Sequence, residues 1–235
     1  MANPPGTHRN HTVTSLRSNF LRNILRNAAQ SARICMIAAL CLTAFTALAM
    51  AQNPERDRPF DHGIRVSHER MMTDFGGGNG GHPSPDAVCG EDSVAIGFHV
   101  QTGEYFNTAW LDCVHVRPDG EPGDEVRMTE RTGSPGGRPV QDAFCPRGLV
   151  LRGLRGRTGA SIDEAVGICG PLREIAERRE HIRSEPTQAI VRPNAAGHPA
   201  GAECPPGFVV TGFHSNSGGW MDHLWVLCSE LRHGD

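Results

Sequence analysis

Near the end of the chain, Gly218, Gly219, Trp220, Met221 and Asp222 combine residue types suited to holding a polyhydroxylated ligand. Glycines at a hairpin tip let the backbone come close to a ligand and leave N–H donors exposed. A carboxylate fixed beside them accepts charge-assisted hydrogen bonds from a pair of vicinal hydroxyls. An aromatic ring beside the pair covers the apolar face of a pyranose. Such a site is shallow and needs neither metal nor cofactor. Two altered copies lie upstream: Gly159 and Asp163 repeat the Gly-x-x-x-Asp spacing with Ser161 in place of Trp220, and Gly103, Tyr105 and Asn107 repeat it with an amide for the acid. An amide still bonds to hydroxyls but lacks the charge. The competing reading is structural, because an Asp that opens a strand after a Gly-rich turn often caps that turn through its own backbone.

The three copies sit on one ruler. Cys89 and Cys113, Cys145 and Cys169, and Cys204 and Cys228 are each 24 positions apart. A glycine falls eight residues after each first cysteine (Gly97, Gly153, Gly212), another fourteen after it (Gly103, Gly159, Gly218), and Asn107, Asp163 or Asp222 eighteen after it. Marks that agree in register across three segments identify an internal repeat. A Gly-x-Pro step also precedes each first cysteine: Gly81-His82-Pro83, Gly137-Arg138-Pro139 and Gly197-His198-Pro199. The glycine cluster Gly76–Gly81 is therefore part of the repeat rather than a linker. Its counterparts are shorter, with Ser134-Pro135-Gly136-Gly137 partial and Asn194 to Gly197 weaker still.

Composition narrows the setting. The chain of 235 residues contains no Lys. Five Arg and no acidic residue occupy residues 1–51, followed there by an apolar run from Ile34 to Met50 and a small-x-small step, Ala49-Met50-Ala51. This reads as a signal peptide cleaved before Gln52, with an uncleaved membrane anchor as the alternative. Residues 52–235 then form a single domain carrying 18 Arg against 26 acidic residues, a net charge of −8 with His neutral. That sign disfavours nucleic acid. The six cysteines of an exported chain read as three disulfides, whereas a zinc site would want close CxxC or CxxH spacing, which is absent.

After each first cysteine comes a short apolar run (Val94, Ile96, Phe98; Leu149, Val150, Leu151; Phe208, Val209, Val210), and a second run leads into each second cysteine, as in Leu224 to Leu227. Bounded by Gly and Pro, these are strands. Folding one run on the other sets the two cysteines opposite each other at the open end of a hairpin, so each repeat is expected to carry its own staple. Between repeats, Val114–Arg131 and Pro171–Val191 have room for a second pair of strands. The latter segment is open between strand and short helix, and Ile64 with Val66 suggests a short edge strand. Only 31 residues remain after Cys204, so residues 52–88 are expected to complete the last sheet. The fold expected is all-β: a prism of three antiparallel sheets about a pseudo-threefold axis, with no exposed edges left between them.

The Cys-Pro-x-Gly start, the Gly212-Phe213 step and an acid-bearing return strand that ends in cysteine resemble the vitelline membrane outer layer protein one family. The Gly-x-x-x-Asp spacing below a glycine-rich loop resembles the jacalin-related lectins, including the three-site griffithsin type. Both resemblances cover residues from about 60 to 235 and imply the β-prism fold. The lectin resemblance implies glycans or glycoconjugates as partners and a secreted or periplasmic location. A structural or protein-interaction scaffold is the runner-up, and a glycan-active enzyme the third reading. No Ser-His-Asp order in recognisable context, nucleophile elbow, HExxH or phosphate loop supports catalysis. His99 and His214 share one repeat position, but Arg155 takes the third place and cannot ligate, so no metal site is assigned. The Arg147 to Arg157 run falls on an ordinary repeat strand.

Overall fold

The computed structural model describes residues 63–233; the expected signal segment, residues 1–51, lies outside them. Three hairpins form the frame: β4 (Ser93–Thr102) with β5 (Phe106–Val116), β9 (Leu149–Thr158) with β10 (Ile162–Pro171), and β13 (Phe208–Ser217) with β14 (Met221–His233). The first strand of each hairpin begins four residues after its first cysteine and ends thirteen after it, and the second begins at seventeen. The repeat ruler is thus a ruler of backbone structure as well.

Each hairpin is the centre of a curled antiparallel sheet. Sheet I runs β6 (Pro122–Met128), β5, β4, β8 (Val140–Phe144), with the two-residue β7 (Thr132–Gly133) also on β5. Sheet II runs β11 (Glu185–Val191), β10, β9, β12 (His198–Glu203). Sheet III runs β1 (Ile64–Gly77), β14, β13, β2 (His82–Pro83), with β3 (Ala87–Val88) also on β13. The two outer strands of sheet III therefore both come from the segment that precedes the first cysteine. A short helix, α1 (Leu172–Ala176), buries Leu172, Ile175 and Ala176 beside the start of sheet III. No helix among the described residues is long and apolar enough to cross a membrane.

The core lies between the sheets. Phe98, Leu154 and Phe213 share one repeat position, nine residues after the first cysteine, and each is at most 1% exposed. Phe98 and Phe213 meet edge to face at 6.0 Å, a favoured geometry for rings. A second apolar cluster of Val94, Val150, Val209, Ile64, Val66 and α1 closes the end remote from the hairpin tips.

The glycine eight residues after each first cysteine sits where a strand from the next repeat crosses. A Cβ on Gly153 would lie 2.5 Å from the Ala202 carbonyl oxygen, on Gly212 2.9 Å from that of Ala87, and on Gly97 3.0 Å from that of Ala143. Just before each glycine the hairpin register slips by one residue. The carbonyl freed by that bulge accepts the amide of the next first cysteine: Cys145 to Ile96 at 2.8 Å, Cys204 to Arg152 at 2.8 Å, and Cys89 to Thr211 at 2.9 Å. Bulges commonly re-aim backbone in this way.

That docking corrects the expected staple. The three disulfides join Cys89–Cys113, Cys145–Cys169 and Cys204–Cys228, each with Cα atoms 5.7 Å apart. None lies across the open end of one hairpin. Cys113 faces Ala95, Cys169 faces Leu151 and Cys228 faces Val210. The turn lies past the midpoint of each cysteine pair, so the first cysteine falls short of the hairpin and rests on the preceding sheet. Each bond therefore joins two neighbouring sheets, and the three together link all three.

Three further expectations change. The strand at Ile64 and Val66 runs on to Gly77, with a bulge after Val66, so Gly76 and Gly77 are strand residues. Segment 171–191 contains both a helix and a strand, because the polar stretch between Ala176 and Glu185 separates two short apolar runs. Residues 114–131 hold the end of β5 and one further strand, β6, instead of a new pair, the turn being made at Gly120 with φ +75°.

Asp92 ties the N-terminal strand to the first repeat. Its carboxylate accepts from the Val66 amide at 3.0 Å and the Arg65 guanidinium at 2.8 Å. Burial by itself would raise the Asp92 carboxyl, and these two donors outweigh it, holding it below the usual carboxylate range.

Replacing Cys145 and Cys169 together by Ser should lower stability by about 3 kcal/mol, read by guanidinium unfolding at equilibrium. A depressed folded-state pKa contributes stability above the ordinary carboxyl value, lost as pH falls through the folded one. Asp92→Asn should therefore be less stable than wild type by about 1 kcal/mol near pH 7, with the gap closing below about pH 4; a constant gap down to acid pH would show that the charge is immaterial.

Candidate functional site

The three hairpin tips are built alike. Each closes on one backbone bond: Gly103 to the Tyr105 carbonyl at 2.9 Å, Gly159 to that of Ser161 at 2.8 Å, and Gly218 to that of Trp220 at 3.0 Å. Beyond each turn stands Asn107, Asp163 or Asp222, and the glycine of the Gly-x-Pro step passes over its side chain. A Cβ on Gly137 would lie 2.8 Å from Asn107 Oδ1, one on Gly81 2.6 Å from Asp222 Oδ2, and one on Gly197 closer still to Asp163. Gly81 and Gly137 have φ of +75° and +86°, a region that side chains other than glycine rarely enter.

The three positions have diverged in chemistry. Asp163 is 2% exposed and is held by Arg192, whose Nε lies 2.5 Å from Oδ1. Its carboxylate is neutralised inside the protein, so it does not offer the open acid expected of it. Asn107 points its Nδ2 at the Gly219 carbonyl, 3.5 Å away. Asp222 is 9% exposed, and its carboxylate has no hydrogen-bond partner among the described residues. It is framed instead by Gly80, Gly81 and Gly218, whose added Cβ atoms would lie 2.8, 2.6 and 3.5 Å from its oxygens. Its oxygens are not among the fully buried polar atoms, so the carboxylate can accept from a donor outside the protein.

Sequence reasoning missed the group that holds this glycine loop. His223, next to Asp222 on β14, has Nδ1 3.0 Å from the Gly78 carbonyl and Nε2 2.7 Å from Asp74 Oδ1, and it stacks on Trp225 at 4.1 Å. The Gly78 amide in turn donates to the Asp222 carbonyl at 2.8 Å, and Ser84 and Ser217 pair through their hydroxyls at 2.6 Å where β2 meets β13. Only the one-residue offset between His223 and the repeat acid hinted at the first contact; Asp74 carried no signal at all.

The aromatic residues also behave differently from expectation. Tyr105 and Trp220, equivalent in the repeat, stack on each other with centroids 4.5 Å apart and planes 23° apart. The Arg192 guanidinium lies over the Tyr105 ring at 5.4 Å. Tyr105 thus packs against both Trp220 and the Arg192 guanidinium. Trp220 is 38% exposed and keeps one free face. Met221 is fully buried, its Cε directed to Gly133, so its side chain belongs to the core and not to the site. Strand alternation explains this: Trp220 ends the turn, and the next side chain points inward.

His99 and His214 are each tied to the strand arriving from the next repeat. His99 Nδ1 lies 2.6 Å from Asp142 and its Nε2 3.0 Å from Asp112, while His214 Nδ1 lies 2.6 Å from Asp86. They rest on Trp110 and Trp225. Among the described residues no group of three or more His, Cys, Asp or Glu is arranged to hold a metal ion. A cleft of about 280 Å³ lies away from the tips, beside Cys89, Glu125 and Arg127, and there the two charged side chains pair with each other. The partnerless acid at the third tip makes that tip the better candidate.

No family model matches the chain, and no curated protein matches it. Among solved structures it is similar to a mannose-binding jacalin-related lectin from Ananas comosus, at 14% identity over 68% of this chain and 98% of that one, with a TM-score of 0.44. A Malaysian banana lectin is similar at 13% identity over 69% and 99%, TM-score 0.45. Artocarpin, in complex with mannopentose, is similar at 11% identity over 69% and 99%, TM-score 0.46. The assignment of the β-prism rests on the sheet topology described above.

The glycine loop gives a direct test of the site's construction. Gly81→Ala places a methyl against Asp222 at a left-handed φ and should destabilise the protein by about 1–3 kcal/mol. Gly219→Ala meets nothing within 4 Å and should leave the thermal midpoint within about 1 °C of wild type.

Proposed function

We propose that this is an exported protein that binds carbohydrate, without a metal, at the tip of the third hairpin. The observation that carries the reading is the Asp222 carboxylate, on a residue only 9% exposed, open to an outside donor, held by no internal hydrogen bond and bordered by the Gly80, Gly81 and Gly218 backbone. Two vicinal hydroxyls of a pyranose would supply the missing donors, and the free face of Trp220 would cover the ring. Neighbouring positions that could have competed for the ligand already have internal partners: Asp163 pairs with Arg192, and Tyr105 packs on Trp220 and Arg192. Three disulfides support export, since such bonds persist in oxidising compartments, and the signal-like residues 1–51 agree with it.

The reading is of binding and not turnover. Glycoside hydrolysis commonly sets two carboxylates across the scissile bond, and the best-matched second acid, Asp163, is committed to an internal ion pair. A rigid scaffold without sugar binding is the second reading, favoured by the ring of three inter-sheet disulfides and by the vitelline-type residue pattern.

Asp222→Ala separates the two. If Asp222 is a ligand group, its removal should abolish or weaken glycan-array binding by roughly 10- to 100-fold while leaving stability equal or higher, because no internal bond is lost. If it is a turn cap, the same change should lower stability by about 1 kcal/mol with no glycan signal to lose. Absence of any glycan signal from the wild type would remove the lectin reading.

A further inference from the structure

The second repeat bears on the third tip through a continuous line of contacts. Asp163, buried on β10, takes the Arg192 Nε at 2.5 Å, and the Arg192 amide donates to the Asp163 carbonyl at 3.1 Å. The guanidinium so fixed also donates from Nη1 to the Pro193 carbonyl at 3.1 Å. Its planar group lies over Tyr105, and Tyr105 stacks on Trp220, two residues from Asp222. Contact with both a guanidinium and a stacked indole is a favourable environment for a phenol ring. The line passes from repeat two through repeat one to repeat three. Except for Arg192, its members have counterparts on the repeat ruler: Asp163 matches Asp222, and Tyr105 matches Trp220.

We propose that Asp163 and Arg192 are positioning residues for Trp220, so that the second repeat, having closed its own tip, orders the aromatic face of the third. This rests on the carbohydrate reading. A half-exposed indole samples several rotamers, and a ligand must halt that motion on binding. Arg192 removes part of the requirement in advance by locking the ring on which Trp220 leans. Arg192→Met should therefore weaken sugar binding about tenfold without touching any residue in contact with the sugar.

The test reads Trp220 and sugar separately. The chain has three Trp, so uniformly ¹⁵N-labelled protein gives three indole N–H signals, that of Trp220 being identified by its loss in Trp220→Phe. Two variants are compared, Arg192→Met and Tyr105→Ser; the second leaves the buried ion pair intact and installs the residue that the second repeat carries at that position, so it folds even if the first does not. The expected result is movement of the Trp220 signal alone in both, with Trp110 and Trp225 unchanged, together with weaker binding of methyl mannoside, glucoside or galactoside. A Trp220 signal that stays in place in Tyr105→Ser overturns the proposal, as does a moved signal with unchanged affinity. If the signal moves but wild type binds none of the glycosides, the positioning line stands and the carbohydrate reading falls.

Discussion

The structure depends on one contact made three times: the amide of each first cysteine bonded to a bulge carbonyl of a neighbouring repeat. Cys145 rests on Ile96, Cys204 on Arg152 and Cys89 on Thr211, at 2.8–2.9 Å. Each contact brings a short strand onto the neighbouring sheet and presents the cysteine to its partner on the next. The glycine beside every bulge follows from this crossing, since any side chain there would meet the carbonyl of Ala143, Ala202 or Ala87. The disulfide then makes covalent what the bulge has aligned. The sheets nonetheless stay separate, with β6 and β8, β11 and β12, and β1 and β2 as their edge strands, so the expected absence of edges does not hold.

Much of this was legible because the repeat repeats geometry, not only residues. The cysteine spacing, the glycine at position eight and the apolar runs placed the three hairpins and the core position shared by Phe98, Leu154 and Phe213. The partner of each staple was legible, but its path was not. Symmetric folding of a 24-residue segment suggests a turn at its centre, whereas the turn is set by Gly103, Gly159 and Gly218, past the centre. Register shifts of one residue are decided by the crossing strand, a non-local partner that no single segment encodes.

The site was legible in type and not in state. Equivalent residues in a repeat invite equivalent roles, yet the environment of each is set by residues outside the ruler. Arg192, in an irregular stretch before Gly197, turns Asp163 from an open acid into half of an internal pair. His223 and Asp74 hold the glycine loop over Asp222 from two strands far apart in sequence. Met221 lost its place in the site through the simple alternation of a strand, once the end of the turn was known. Pseudosymmetry therefore supplied three candidate tips, and the asymmetric side chains around them left one acid without a partner.

Sheet III has a further consequence, for the order of events as the chain is made. Both of its outer strands, β1 and the β2–β3 pair, precede the first cysteine, while its central hairpin, β13 with β14, follows every other strand of the prism. Strands 64–88 thus wait, unpaired, until residues 208–233 have emerged. Such long-range pairing is slow to form and exposes strand edges meanwhile. The first and second hairpins can form as they emerge, and the first cysteine reaches Thr211 only at the end.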